Sequence, residues 1–302
     1  MSLRAEADVD ELRCVVESGD YLGEGPAWSA SEGRLYWLDI QGRRLNWFAP
    51  ADGATGRFEL PVRASVAAPR AQGGLVLVTE VGLASFDTNA GRFELRQPMA
   101  FEPGFRTNDG KVDLAGRLWW STMDDDGGKR PGVLYRTDPD GRTHLALRGL
   151  HIANTVSCGP DGRTMYLADS ALRTLWTFPV EADGSLGERR RFASLQAEPT
   201  GTFDGSAVDR EGFLWNAQWG AWRIVRYAPD GRVDRIVEAP VQQPSSCAFG
   251  GPELATLFVT SARENLSDEA LVRQPQAGHL FAFDPGVCGL PLPEFAGELA
   301  HG

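Results

Sequence analysis

The sequence predicts an all-β chain folded as a six-bladed β-propeller with four-stranded blades. Three observations predict it. A pattern of short apolar strands and Gly-Asp turns recurs six times, at intervals of 41 to 50 residues, which is the period of propeller blades. The chain carries 35 Gly and 19 Pro in 302 residues, a composition that favours strands and turns over long helices. One copy, residues 201–232, shows a whole blade.

That copy opens on an acid and a short apolar strand, Asp204-Gly-Ser-Ala-Val208. The turn Asp209-Arg-Glu-Gly212 leads to a second strand, Phe213 to Gln218. A third strand, Arg223 to Tyr227, follows the Trp219-Gly220 break, and Pro229-Asp230-Gly231 leads into a fourth around Val233 to Val237. Asp and Gly at these turns suit the positive φ that tight hairpins need.

The other copies follow in order. Glu24-Gly-Pro-Ala-Trp28 precedes a Glu32-Gly33 turn and Arg34 to Asp39; Ser65-Val-Ala-Ala68 precedes Gln72-Gly73 and Leu75 to Val78. Asn108-Asp-Gly-Lys-Val112 precedes Ala115-Gly116 and Arg117 to Trp120; Asn154-Thr-Val-Ser-Cys158 precedes Asp161-Gly162 and Thr164 to Ala168. The last copy, Ser245 to Phe249, lacks the turn glycine and leads to Leu257 to Thr260. In four copies the head residue stands eight residues before that glycine. After Thr260 one clear strand remains, Gly278 to Asp284, so the apolar Leu12 to Val16 is expected to close the ring as the outer strand of the last blade. Such closure removes an exposed sheet edge. The whole chain, 1–302, reads as one domain with a core from about 12 to 285 and short frayed ends. A long insertion, 261–277, is expected to hold a short helix at Asp268 to Val272. Trp37, Trp119, Trp120, Trp176 and Trp215 lie inside strands and read as packing between blades, whereas Trp219, Trp222 and Phe203 are candidates for the channel mouth.

Composition excludes several classes. The net charge is −11, and the one basic run, Arg189 to Arg191, reads as a solvated strand edge, so nucleic acid is not an expected partner. No apolar run approaches membrane-spanning length. The polar N-terminus MSLRAEADVDELR does not read as a signal peptide, and the four cysteines (Cys14, Cys158, Cys247, Cys288) have no CxxC spacing; a reduced, cytoplasmic protein is expected. The four histidines are scattered, which gives little support to a histidine-ligated metal or a Ser-His-Asp triad.

In a propeller the first strand of each blade lines the central channel. The repeat therefore brings six head residues to one end: Glu24, Ser65, Asn108, Asn154, Asp204 and Ser245 or Ser246. Carboxylates meeting there without a cation would repel each other and lose water. An all-oxygen set of Glu, Asn and Asp suits one divalent ion such as Ca²⁺, Mg²⁺ or Mn²⁺, with Zn²⁺ also open and Fe²⁺ to be tested beside them. A lone Asp or Asn at a strand start is usually only a cap; four at one repeat position argue for a site.

The stretches LGEGPAW (22–28), RTNDGKVDLAGRLWWSTM (106–123), NTVSCGPDG (154–162) and FDGSAVDREGFLW (203–215) resemble the senescence-marker-protein/gluconolactonase/regucalcin family over nearly the whole chain. NAQWGAWRIVRYAPDG and CAFGGPEL resemble its bacterial sugar-lactonase branch. The resemblance implies a six-bladed propeller with one divalent metal held by Glu24, Asn154 and Asp204, with Asp204 as the catalytic base. It implies substrate contacts at Arg106, Asn108 and Asp126. Asp126 is shorter than the Glu of some members, and Asp124 or Asp125 are alternatives; Ser121 replaces the family's glycine before the Thr-Met pair. The expected function is metal-dependent hydrolysis of a sugar-acid lactone, such as glucono-, xylono- or arabinonolactone. The competing readings are an organophosphate or aryl-ester hydrolase at the same metal, and a non-catalytic calcium-binding regulator.

Overall fold

Apolar residues come in unbroken runs on strands near the channel and thin out towards the rim. Leu75 to Thr79 are all buried, as are Pro244 to Gly250, while Ala54 to Glu59 and Val233 to Glu238 are mostly exposed. A strand covered on both faces needs such a run; one covered on one face does not. The structure, a computed structural model, describes residues 11–291, 293–297 and 299. Residues 1–10, which include most of the stretch read as lacking a leader, and 300–302 lie outside the described residues.

The first strand, β1 (Arg13–Val16), stands apart from its sequence neighbours. Blade one is β2 (Gly23–Ser29), β3 (Arg34–Asp39), β4 (Arg44–Ala49) and β5 (Ala54–Glu59). Blade two is β6 (Ala64–Pro69), β7 (Leu75–Thr79), β8 (Gly82–Asp87) and β9 (Arg92–Pro98). Blade three is β10 (Phe105–Val112), β11 (Leu118–Asp124), β12 (Gly132–Thr137) and β13 (Thr143–Leu150). Blade four is β14 (Ala153–Cys158), β15 (Thr164–Asp169), β16 (Thr174–Pro179) and β17 (Arg190–Ser194). Blade five is β18 (Thr202–Val208), β19 (Leu214–Trp219), β20 (Arg223–Tyr227) and β21 (Val233–Glu238). Blade six takes β22 (Pro244–Gly250), β23 (Thr256–Ser261) and, after α1 (Asp268–Arg273), β24 (Leu280–Phe283).

Each blade is an antiparallel sheet in chain order, and β1 pairs with β24 as the outer strand of blade six. The expected closure of the six-bladed ring is thus present. The innermost strands contact one another around the ring, β2 to β6, β10, β14, β18, β22 and back to β2. The expected turn glycines sit at positive φ, as at Gly212 (83°), where a side chain would be strained. Helix α1 falls where expected, and its N-cap Ser267 accepts from the Ala270 amide. Trp37, Trp119, Trp120 and Trp215 are fully buried, and Trp176 is partly buried against the core.

Asp20 latches the closure. Its amide donates to the Gly278 carbonyl at 2.8 Å, and its carboxylate accepts from Trp37 Nε1 at 2.8 Å and Asn46 Nδ2 at 3.0 Å. Those bonds do not fully replace water, and burial pushes the Asp20 carboxyl up to about 6.

The C-terminal segment is a correction to the sequence reading. Its described residues, 285–291 and 293–297, run across the far end of the channel as a strap rather than fraying; residues 292, 298 and 300–302 lie outside the described residues. Leu290 donates to Val208 O at 3.0 Å, Gly289 to Leu254 O at 2.8 Å and Phe295 to Pro69 O at 2.8 Å. Phe295 is fully buried in a cluster with Val66, Val76, Leu118 and Trp120. A Pro-rich stretch carries no strand periodicity, so its anchor, one aromatic side chain, leaves little trace in the sequence. Above the strap lies a cavity of about 410 Å³ lined by all six inner strands.

Two outcomes are expected. Phe295→Ala should cost about 3–5 kcal/mol in urea unfolding, as truncation of a buried aromatic does, while Val272→Ala on the exposed face of α1 should stay within about 0.5 kcal/mol. Asp20 is neutral in both states below its unfolded value of 3.8 and charged in both above about 6. Its burial therefore costs the native state nothing at low pH and most above pH 6. Comparing wild type with Asp20→Asn between pH 4 and 6, the wild type should lose roughly 2–3 kcal/mol more as pH rises.

Candidate active site

Every inner strand carries one extra residue near its head. The ladders are interrupted between Glu24 and Ala27, Ala64 and Val66, Thr107 and Gly110, Asn154 and Ser157, Phe203 and Ser206, and Pro244 and Ser246. A bulge bends its strand and re-aims the side chains around it. Glu24 and Asn154 are the last paired residues before their bulges, whereas Asn108 and Asp204 lie inside theirs. Equal spacing to the turn glycine thus does not mean equal ladder position. Next to Asp204, a Cβ on Gly205 would fall 1.9 Å from Ser246 Oγ, so glycine lets blades five and six close up there.

Hydrogen bonds join the mouth across all six blades. Arg106 Nη1 donates to Asn108 Oδ1 at 2.8 Å, and Asn108 Nδ2 donates to Asn154 Oδ1 at 2.8 Å. Asn154 Nδ2 donates to Ser170 Oγ at 2.9 Å, and Ser170 in turn donates to the Phe203 carbonyl at 2.5 Å. Thr155 Oγ1 donates to the Asp204 carbonyl at 2.6 Å. In the other direction Arg106 Nε donates to Asp125 at 2.8 Å, and Arg63 donates to the second Asp125 oxygen at 2.7 Å. Arg63 also binds Glu80 at 2.7 Å and Gln41 at 3.3 Å, and Gln41 donates to Glu264 at 3.2 Å. Ser245, at the head of β22, donates to the Gly23 carbonyl; Ser65, at the head of β6, is buried with no partner for its hydroxyl among the described residues.

The charges here are unusual. Burial pushes the Glu24 carboxyl up to about 8, with the neighbouring Asp109 charge as the second cause. Asp204 is raised for the same first reason, and Glu24 and Asp109 add to it. Asp109 is raised by burial too, although Lys111 and backbone amides, Val156 at 2.9 Å and Gly110 at 2.8 Å, oppose the shift. Three carboxylates thus share a dehydrated space with Arg106 and Lys111 as the nearest counter-charges. Such a set fits a divalent cation, which would relieve the repulsion that burial has built. The donors are hard oxygens: Glu24, Asp204 and Asn154, whose Oδ1 keeps a lone pair after accepting from Asn108. Among the described residues no group of three His, Cys, Asp or Glu side chains is placed to hold a metal, so the amide of Asn154 is needed to complete a three-ligand set.

The structure brings Glu24, Asn154, Asp204, Arg106 and Asn108 together. It does not bring Asp126, whose side chain is 74% exposed and pairs with Lys129 at 2.7 Å. Asp125 is the acid bound to Arg106, and Asp124 is buried against Arg130. Phe203 does not line the mouth; it is buried between blades against Tyr227. Trp219 is partly buried against the cluster containing Leu22 and Ala262, and Trp222 is 41% exposed. Ser121 lies within β11, and its hydroxyl donates to the Asp109 and Ala153 carbonyls at 3.1 and 3.3 Å. Sequence reasoning missed Asp109, Lys111, Ser170, Arg63 and Glu264. Asp109 and Lys111 had a signal, since both stand inside NDGKVD.

A family model described as the SMP-30/gluconolactonase/LRE-like region matches residues 22–263. The chain belongs to this family. Among its SMP-30/gluconolactonase/LRE-like relatives are a 6-deoxy-6-sulfogluconolactonase of Pseudomonas putida, 34% identical over 95% of this chain and 99% of its own, and an L-arabinolactonase of Azospirillum brasilense, 38% identical over 94% and 95%. The fold matches the crystal structure of a calcium-binding protein, regucalcin, from Agrobacterium tumefaciens, with a TM-score of 0.86, 31% identity and 96% of both chains covered.

Ser170→Ala should leave the Asn154 amide and the Phe203 carbonyl buried without a partner. A loss of about 1–3 kcal/mol in denaturant unfolding is expected; a loss under about 0.5 kcal/mol would remove Ser170 from the support of this site.

Proposed function

We propose that the protein hydrolyses a sugar-acid lactone to the open sugar acid at one divalent cation held by Glu24, Asn154 and Asp204. The observation that carries this reading is the joined set at the mouth: two dehydrated acids beside a fixed Arg106–Asn108–Asn154 chain. The full-length likeness to lactonases supports the reaction class. The likeness to a protein described as calcium-binding supports the cation.

When bound, the cation supplies Lewis-acid polarisation of the lactone carbonyl. The chain's own residues do the rest. Asp204, a carboxylate at the head of β18, takes a proton from the attacking water. The water oxygen bonds to the carbonyl carbon, the ring C–O bond breaks, and the ring oxygen leaves as a hydroxyl carrying a proton. Asn108 gives its amide N–H groups to Asn154 Oδ1 and the Ala153 carbonyl and so holds the Asn154 amide in place. Arg106, oriented by Asp125 and Asn108, turns its remaining Nη2 to sugar oxygens. The resemblance gave Asp126 a substrate contact; Asp125, the alternative bound to Arg106, takes the place of that acid beside the substrate.

Four unpaired thiols fit a reducing compartment, and we place the reaction in the cytoplasm. No helix among the described residues is long and apolar enough to cross a membrane. The second reading, a binding protein for calcium, rests on the same likeness. It differs in one outcome: metal binding without turnover.

The test is proton release from five- and six-membered sugar lactones by chelator-stripped protein, with Ca²⁺, Mg²⁺, Mn²⁺, Fe²⁺ or Zn²⁺ restored in turn and spontaneous opening subtracted. Metal-restored turnover is expected. Asp204→Ala, folded by circular dichroism, should lose kcat/KM by at least about a thousandfold and bind the metal weakly. Wild-type turnover that survives full metal removal would sink the assignment.

A further inference from the structure

The insertion between β23 and α1 brings a group to the mouth that the mechanism does not use. Its first turn is pinned to the ring: Ala262 donates to Gln243 O at 3.0 Å, Arg263 to Tyr21 O at 3.1 Å, and Gln243 Nε2 to Glu264 O at 3.2 Å. Glu264 is therefore held over the channel. One carboxylate oxygen accepts from Gln41; the other has no hydrogen-bond partner among the described residues. Arg106 is the main opposing charge that it feels, and Glu24 in turn feels Glu264. The carboxylate thus lies near both the substrate-facing guanidinium and the cation ligand.

The cations at the mouth are already matched. Arg63 is shared by Glu80 and Asp125, Arg106 by Asp125 and Asn108, and Arg130 by Asp124, while Lys129 pairs with Asp126. Arg173 points its donors at the carbonyls of Glu198, Thr200 and Gly201. Of these five, Arg106 keeps only its Nη2 for a ligand, and none offers a sulfonate or phosphate an unshared guanidinium, whereas Glu264 offers a carboxylate oxygen that accepts from no described residue.

We infer that Glu264 is a specificity-determining residue, which accepts a hydrogen bond from a sugar hydroxyl and turns away lactones that bear an anionic substituent. This rests on the lactonase reading. The Pseudomonas putida relative is described as acting on a sulfonated lactone, so the inference expects a different preference in this chain. The physical reason is a difference of affinities: the same carboxylate that gains a charged hydrogen bond from a neutral sugar repels an anion in a partly dehydrated site.

The experiment compares kcat/KM for neutral pentono- and hexonolactones with that for 6-phosphogluconolactone and the 6-sulfo analogue, on metal-loaded full-length protein. Wild type should favour the neutral substrates by about 100-fold or more. Glu264→Gln should raise KM for them by about 10-fold with kcat nearly unchanged, and should narrow the gap to the anionic lactones. Glu264→Asp should restore part of the preference, and Glu264→Lys should shift it towards the anions. Equal or faster turnover of the anionic lactones by wild type, or an unchanged KM and ratio in Glu264→Gln, would overturn the inference while leaving the lactonase standing. Absence of turnover on every lactone would end both.

Discussion

Glu24 and Asp204 are kept close together where neither has enough water, and the surrounding structure is arranged around that repulsion. A chain free to relax would swing one acid into solvent. Here each is fixed by a bulged inner strand, and each strand is fixed by neighbouring blades on both sides. The ring is thus what makes the strained pair affordable, and the strain is what gives the site its appetite for a cation and for protons.

Around the acids, neutral and cationic donors form a chain of hydrogen bonds rather than separate pairs. Arg106, Asn108, Asn154 and Ser170 connect blades three, four and five; Asp125, Arg63, Gln41 and Glu264 connect blades three, two, one and six. Little is left to order when substrate arrives, which is how a site lowers the cost of binding and of reaching the transition state. The same connectivity makes single substitutions hard to interpret alone, because removing one member leaves two others unmatched.

The parts legible in the sequence were those with a period. Strand, turn and blade repeat, so the ring, its closure by β1 and the convergence of Glu24, Asn108, Asn154 and Asp204 are legible in the repeat itself. What repetition does not encode was lost. Asp125 rather than Asp126 meets Arg106 because a turn, not a strand, decides which of three adjacent acids points inward. Phe203 faces the core because the bulge after it changes which face its neighbours share. Glu264 sits in the one insertion without a counterpart in other blades. Phe295 anchors the strap through tertiary contact alone. The equal head-to-glycine spacing was itself slightly misleading, since Asn154 and Asp204 occupy different ladder positions and converge only through their bulges.

The pairing of β1 with β24 has a consequence during synthesis. Arg13 pairs with Ala282, so the last blade joins the two ends of the chain. Five blades can form their own hairpins as they leave the ribosome, but β1, the outer strand of blade six, is made early and lacks its partner β24 until residue 283 has been made. Contacts this distant in sequence are slow to form, and until then the N-terminal strand and the open flank of blade five are exposed edges. The nascent chain must therefore wait, with its site already half assembled, for β1 and β24 to meet.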